Sequence, residues 1–282
     1  MPPQKELLVS QQCRKQNYLP KQKEVKNTSQ LIANIIGTHQ FYCKSTGREL
    51  YNKNGVMAWV TGINHKYLNT VIASQIEFDE AITEVTKFFA DKKLPFVWTV
   101  TPLCLPADLE TRLVSKDFSL IAAHHVLSYD LTASLPIYDK RLDIKEAEND
   151  TMLDDWGMPL NDGFGSTPEN SVGYINMTKC TPYGADQSFH HYVLYHNDKP
   201  VSCATLSVSE YGARIDNVAT RTDYLRRGFG RAITLFAMEK AKELDHQMIC
   251  LEASDEGLRL YLGIGFVEAY KNKVYAQRQF KD

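Results

Sequence analysis

The chain has 282 residues, 43% hydrophobic and 23% charged, enough to bury a sizeable core and, at roughly 150 residues each, to form about two domains. A formal net charge of -2 gives no general attraction for nucleic acid or anionic membrane. Neither is an expected partner, and any phosphate site must be local. The opening residues lack the apolar core of a signal peptide, and no segment approaches the roughly 18 uninterrupted apolar residues of a membrane span, so a cytoplasmic protein is expected.

In chain order, residues 1–27 are rich in Gln and Lys without periodicity and read as a polar arm. Residues 28–132 read as a first globular unit. In it "GVMAWVTG" is a strand, and "EFDEAITEVTKFFADKK" an amphipathic helix with Ala81, Ile82, Val85, Phe88 and Phe89 on its apolar face. "LPFVWTVTP" reads as a buried strand, "PADLETRLVSKDF" as a second helix, and "SLIAAHHVLSYDL" as a terminal strand or hairpin.

The proline and polar residues around 133–141 mark a linker. The second unit, 142–282, repeats the order. "HHYVLYHNDKPVSCATLSVS" is a hairpin around Asn197-Asp198-Lys199, "ARIDNVAT" a strand, and "GRAITLFAMEKAKEL" a helix with Ile233, Phe236, Ala237, Ala241 and Leu244 on one face. "QMICLEA" is a strand, "DEGLRLYLG" a short helix and "FVEAYKNKVYAQR" a closing strand pair. The shared order, with "KDF" and "IGF" at equivalent junctions, predicts an internal duplication of α/β units.

Metals are not expected. The six cysteines contain no C-x-x-C pair. His124-His125 and His190-His191 are neighbours on predicted strands, so each pair points to opposite faces.

"DYLRRGFGRA" carries the clearest ligand signal. Gly228 and Gly230 bare the backbone where a helix begins, no Ser, Thr, Asp or Asn caps that helix, and Arg226, Arg227 and Arg231 stand beside it. The turn either holds a phosphate or is a tight connection with solvated arginines. The third glycine of a dinucleotide fingerprint is replaced by Ile233, and no G-K-[ST] follows.

Together with "CLEASDEGLRLYLGIGF" downstream, this stretch resembles the GCN5-related N-acetyltransferase (GNAT) superfamily over roughly residues 141–278. Gly228 and Gly230 fit the family's Gln/Arg-x-x-Gly-x-Gly/Ala loop, while Leu225 occupies its Gln/Arg position. The first unit resembles the family only in element order. Its connection "NTVIASQIEFDE" has acids and no glycine. The resemblance implies two tandem α/β units, each a central mixed sheet flanked by helices, with splayed parallel strands in the second.

The resemblance also implies acetyl-CoA as co-substrate and direct transfer of its acetyl group to an amine of a small molecule, a protein or a peptide. The alternative is a catalytically weak coenzyme-binding scaffold. The backbone of Val218, Ala219 and Thr220 would pair with the pantetheine arm, and the loop Arg226, Arg227, Gly228, Phe229, Gly230, Arg231 would hold the pyrophosphate. Tyr261 aligns with the family's general acid or is a packed aromatic. Ser254 binds the pantetheine arm, caps the helix at Asp255, or both. Glu252 is a general base or the partner of a nearby Arg or Lys, and Asp216 is the alternative base. "DDWGMPLNDGFGSTPEN" is expected to form an irregular lid over the substrate, lined by Trp156, Asn161, Asp162 and Phe164. Its acids Asp154, Asp155 and Asp162 either attract a cationic amine or are simply solvated.

Overall fold

A computed structural model describes residues 28–47, 49–184 and 187–277. The polar arm, 1–27, lies outside the described residues. The first element is a helix that the expectations above omit, α1 (Thr28–Thr46). Its buried Leu31, Ile35 and Tyr42 are spaced by four and seven residues, the repeat of a helix with one covered face.

β1 (Glu49–Lys53) and β2 (Val56–Val60) follow, joined by Asn54-Gly55, both with positive φ as a two-residue hairpin turn requires. Next come β3 (Asn69–Ser74), α2 (Glu80–Asp91), β4 (Val97–Val100), α3 (Leu109–Ser115) and β5 (Phe118–Asp130). The connection "NTVIASQIEFDE" is therefore half strand, because its alternating apolar start forms β3.

After an irregular stretch come β6 (Asp143–Glu146), α4 (Asp150–Phe164) and α5 (Pro168–Lys179). The expected irregular lid is this helix pair. Its punctuation belongs to caps: Asn149 accepts from Met152 N–H, Gly165 ends α4 with φ 60°, and Thr167 caps α5 ahead of Pro168. β7 (Phe189–His196) and β8 (Lys199–Ser209) form the expected hairpin, with Asn197 and Asp198 both at positive φ. The chain ends with β9 (Gly212–Thr220), α6 (Phe229–Glu243), β10 (Met248–Ala253), α7 (Asp255–Ile264) and β11 (Val267–Gln277). The closing strand pair is thus a single strand. On α6 the buried face also includes Phe229, Ala232 and Met238, whereas Leu244 at the helix end is exposed.

Among the described residues all eleven strands form one sheet in the order β1-β2-β3-β4-β11-β5-β10-β9-β8-β7-β6. Only β3–β4 and β9–β10 are parallel. Reading outward from the central antiparallel pair β11–β5, the partners β4 and β10, β3 and β9, β2 and β8, and β1 and β7 match in order. Each unit lends its last strand to the other: β5 pairs with β10, and β11 with β4. The two units therefore share a sheet rather than each owning one.

Side chains alternate across this sheet and build two layers. On one face α2 and α3 cover β2–β4, and α6 and α7 cover the C-terminal strands. On the other, α1, α4 and α5 cover the centre and the β7–β9 side. Among the described residues no helix is long and apolar enough to cross a membrane.

Candidate active site at the strand splay

Parallel pairing of β9 with β10 runs from Ala213–Ile249 to Ile215–Leu251 and stops. The cause lies in β9, where Ala204 of β8 faces two residues, Asn217 and Val218, in a bulge with Asn217 at φ 55°. The Asn217 amide is pinned from three elements. Its Oδ1 accepts from Tyr174 Oη at 3.3 Å, and its Nδ2 donates to Thr205 Oγ1 at 3.3 Å and Tyr42 Oη at 3.4 Å. From Asp216 onward β9 has no partner on its β10 side.

The gap opens into a cavity of about 380 Å³. The C-terminal unit contributes Asp216, Asn217, Val218, Glu252, Ser254, Gly257 and Tyr261; the N-terminal unit contributes His39, Tyr67, Thr70, Thr99 and His124. Tyr261 is buried in the wall, and Gly257 leaves room for its ring, since a Cβ there would lie 3.2 Å from Cε2. Burial, helped by Asp216, pushes the phenol pKa far up, so Tyr261 keeps its proton. Ser254 Oγ accepts from Gly257 N–H as the N-cap of α7.

The two acids nominated as bases share one cation. Arg214, almost wholly buried, donates through Nε to both Asp216 oxygens at 2.8 and 2.9 Å and through Nη2 to Glu252 at 2.7 Å. Glu252 also accepts from Asn272 and faces His39 Nδ1 at 3.3 Å. Burial alone would raise the Glu252 pKa, but Arg214 and His39 hold it well below the usual carboxylate range. The salt-bridge alternative for Glu252 therefore describes its position, and so low a pKa makes it a poor proton acceptor. Burial works against a charged His39, yet Cys43 and Glu252 beside it raise its pKa to about 10.

At the far end of β9, the turn before α6 has the form expected of it. Gly228 is the N-cap residue with φ 85° and no side-chain cap bond. A Cβ there would meet nothing within 4 Å, so the space before the first-turn amides of Phe229, Gly230 and Arg231 is open. Gly230 lets the helix sit against β9, since its Cβ would lie 3.2 Å from Thr220 Oγ1. The arginines divide. Arg226 is exposed, Arg227 lies over the Tyr224 ring at 5.0 Å, and Arg231 donates to Ile137 O at 3.2 Å. The Phe229 side chain is buried against Tyr224 and His196, leaving only its backbone at the turn.

Three of the four lid residues stand elsewhere than expected. Trp156 is fully buried under β8, donating to Ala204 O at 3.3 Å, because its position on α4 faces the sheet. Asp162 accepts from the Thr222 N–H and hydroxyl at 3.0 Å and so fastens α4 to the chain leading into the glycine turn. Asn161 is not part of the cavity wall; Phe164 is, at the end of α4. Asp154 and Asp155 are likewise engaged, with Lys179 and the Tyr195 hydroxyl. Among the described residues no three His, Cys, Asp or Glu side chains converge as a metal site. His190 and His191 instead bond Glu146 and Thr205.

The N-terminal lining was not foreseen. Its signal was partly present, since "LIANIIGTHQFY" has the apolar spacing that would have placed His39 on α1. His124 and Thr99 needed the strand exchange, which no local pattern encodes.

Comparison with known proteins agrees with this geometry. Residues 187–268 match the family model described as an acetyltransferase (GNAT) domain. The fold is similar to a GCN5-related N-acetyltransferase from Kribbella flavida, with a TM-score of 0.69 at 14% identity, covering 88% of this chain and 96% of that one. A GCN5-related N-acetyltransferase from Sphaerobacter thermophilus aligns at TM-score 0.56 and 11% identity over 78% and 76% of the two chains. A putative GNAT-family acetyltransferase from Novosphingobium aromaticivorans aligns at 0.52 and 10% over 87% and 96%. No curated protein matches the sequence. The C-terminal unit, with its bulged and splayed strands and its glycine turn, belongs to the GNAT acetyltransferase superfamily.

Proposed function

We propose that the chain is an N-acetyltransferase that moves the acetyl group of acetyl-CoA directly to the amine of a small molecule. The observation that carries this reading is the cavity at the splay, lined by side chains of both units. A peptide acceptor needs an open groove, whereas a cavity of about 380 Å³ walled by both units favours a compact amine.

The residues present fit the coenzyme. The uncapped amides of Phe229, Gly230 and Arg231 and the open space at Gly228 suit a pyrophosphate at the positive end of α6. Exposed Arg226 adds charge, while Leu225 offers no polar contact, so backbone groups do most of the holding. The backbone of Val218, Ala219 and Thr220, unpaired on the β10 side, would take the pantetheine arm as an added strand. Acetyl-CoA supplies an activated acyl carbon. Tyr261, kept protonated by burial, would protonate the departing sulfur.

Thiol release followed across a panel of small amines, amino acids and lysine peptides tests the reading. Turnover with small amines and not peptides is expected, and Tyr261→Phe should cut kcat by about 10²–10⁴-fold while leaving acetyl-CoA affinity in place. Preference for a lysine peptide would overturn the small-amine assignment, and wild-type turnover by Tyr261→Phe would remove the phenol from the reaction.

A further inference from the structure

We propose that His124, supplied by the N-terminal unit, takes the proton from the acceptor amine, a proposal that rests on the transferase reading above. Among the described residues that line the cavity, the C-terminal unit has no carboxylate free of a cation for that task. Asp216 and Glu252 are both spent on Arg214, and His39 is bound to Glu252. A group already neutralised by a buried guanidinium gains little by accepting a proton.

His124 differs from all of them. It stands on β5, opposite Asn272 of β11, and the next residue, His125, pairs with Ala253 of β10, so His124 lies level with Ser254. Both His124 and Ser254 line the cavity, as does Tyr261. Strand alternation turns His125 the other way, where Glu268 and Asp255 hold it. The His124 ring is half-buried and touches the Tyr67 ring, centroids 6.2 Å apart. Neither of its nitrogens has a hydrogen-bond partner among the described residues. The titratable groups facing the same space are His39 from α1, Tyr67 from the β2–β3 connection, Asp216 from β9, Glu252 from β10 and Tyr261 from α7.

The step balances without any further reactant. An ammonium acceptor gives one proton to a nitrogen of neutral His124, and the freed lone pair forms the C–N bond to the acyl carbon as the C–S bond breaks. The sulfur takes its proton from Tyr261, whose oxygen recovers one from the newly acylated nitrogen. His124 then releases its proton to solvent.

The test compares wild type, His124→Gln and His124→Asn by pH profiles of kcat/KM with the best small amine of the panel. Calorimetric acetyl-CoA affinity and thermal midpoints are measured alongside. At neutral pH both variants should lose about 10²–10⁴-fold in kcat/KM with coenzyme affinity unchanged. The loss should shrink above the acceptor's own pKa, where the amine arrives already neutral. A loss equal at every pH, or a wild-type profile in either folded variant, overturns the assignment while leaving the transferase reading intact. A wild-type protein that binds acetyl-CoA yet acetylates no amine overturns both.

Discussion

The two units have the same strand order, yet among the described residues they differ in what stands at the strand splay and at the helix end beside it. In the C-terminal unit β9 and β10 part at a bulge, β9 leads to an uncapped helix end, and Arg214 sits buried between two acids. In the N-terminal unit β3 and β4 also part after two pairs, Thr70–Val97 and Val71–Trp98, but the gap is filled by the chain itself. Leu105 N–H donates to Ser74 O, and Ile76 N–H donates to Leu105 O, so the loop after β4 occupies the edge that would receive a pantetheine arm. The helix end is shut electrically as well. Glu77, Asp79 and Glu80 crowd the start of α2, and Asp79 pairs with Arg112. A duplicated fold thus retains its frame while a few residues at the splay decide whether it is a site or a wall.

Breaking the buried charge cluster should have the largest effect. Arg214→Met leaves two carboxylates buried without their cation and should cost about 3–5 kcal/mol in urea unfolding. Thr99→Val, which removes one hydroxyl of the neutral Thr70–Thr99 pair at the other seam, should cost about 1 kcal/mol. Equal losses would erase the contrast.

Next comes the ligand contrast. Gly228→Glu puts a carboxylate into the open space before α6 and should weaken acetyl-CoA binding about 100-fold, equivalent to about 2.7 kcal/mol. Wild-type calorimetry should count one coenzyme per chain; a second equivalent would mean the N-terminal splay also binds.

A smaller difference separates the short helices that follow β4 and β10. Ser254 caps α7 through Gly257 N–H, so Ser254→Ala should cost about 1 kcal/mol. Asp108 makes no cap bond at α3, and Asp108→Ala should change stability by less than about 0.5 kcal/mol.

The subtlest test concerns the exchanged strands. His125 on β5 bridges Glu268 of β11 and Asp255 of α7; burial opposes its charge, but the two carboxylates raise its pKa. Because the folded pKa exceeds the unfolded value of about 6.5, this stabilisation is complete below about pH 6.5 and fades as pH rises through the folded pKa. Wild type should therefore lead His125→Gln most at mildly acidic pH in thermal unfolding, and a gap that widens with alkalinity would refute the bridge.

Local signals carried much of this molecule. The duplication was legible because "KDF" and "IGF" recur, and the structure gives both junctions a left-handed residue, Asp117 at φ 69° and Gly265 at φ 115°. The glycine turn was legible because positive φ and an uncapped helix leave a mark in residue type. The lid was misread since Gly165, Pro168 and Thr167 punctuate helices as readily as loops. The cavity's far wall could not be read at all: His124 and Thr99 reach it only because β5 and β11 cross between units, a pairing fixed by contacts distant in sequence.

That crossing also governs how the molecule comes into being. β11 spans residues 267–277 and lies between β4 and β5. On the ribosome, the unit made first must hold open a slot, with the edges of β4 and β5 unpaired, until β11 has been synthesised. Both units therefore close on one strand, β11, which fills the slot between β4 and β5.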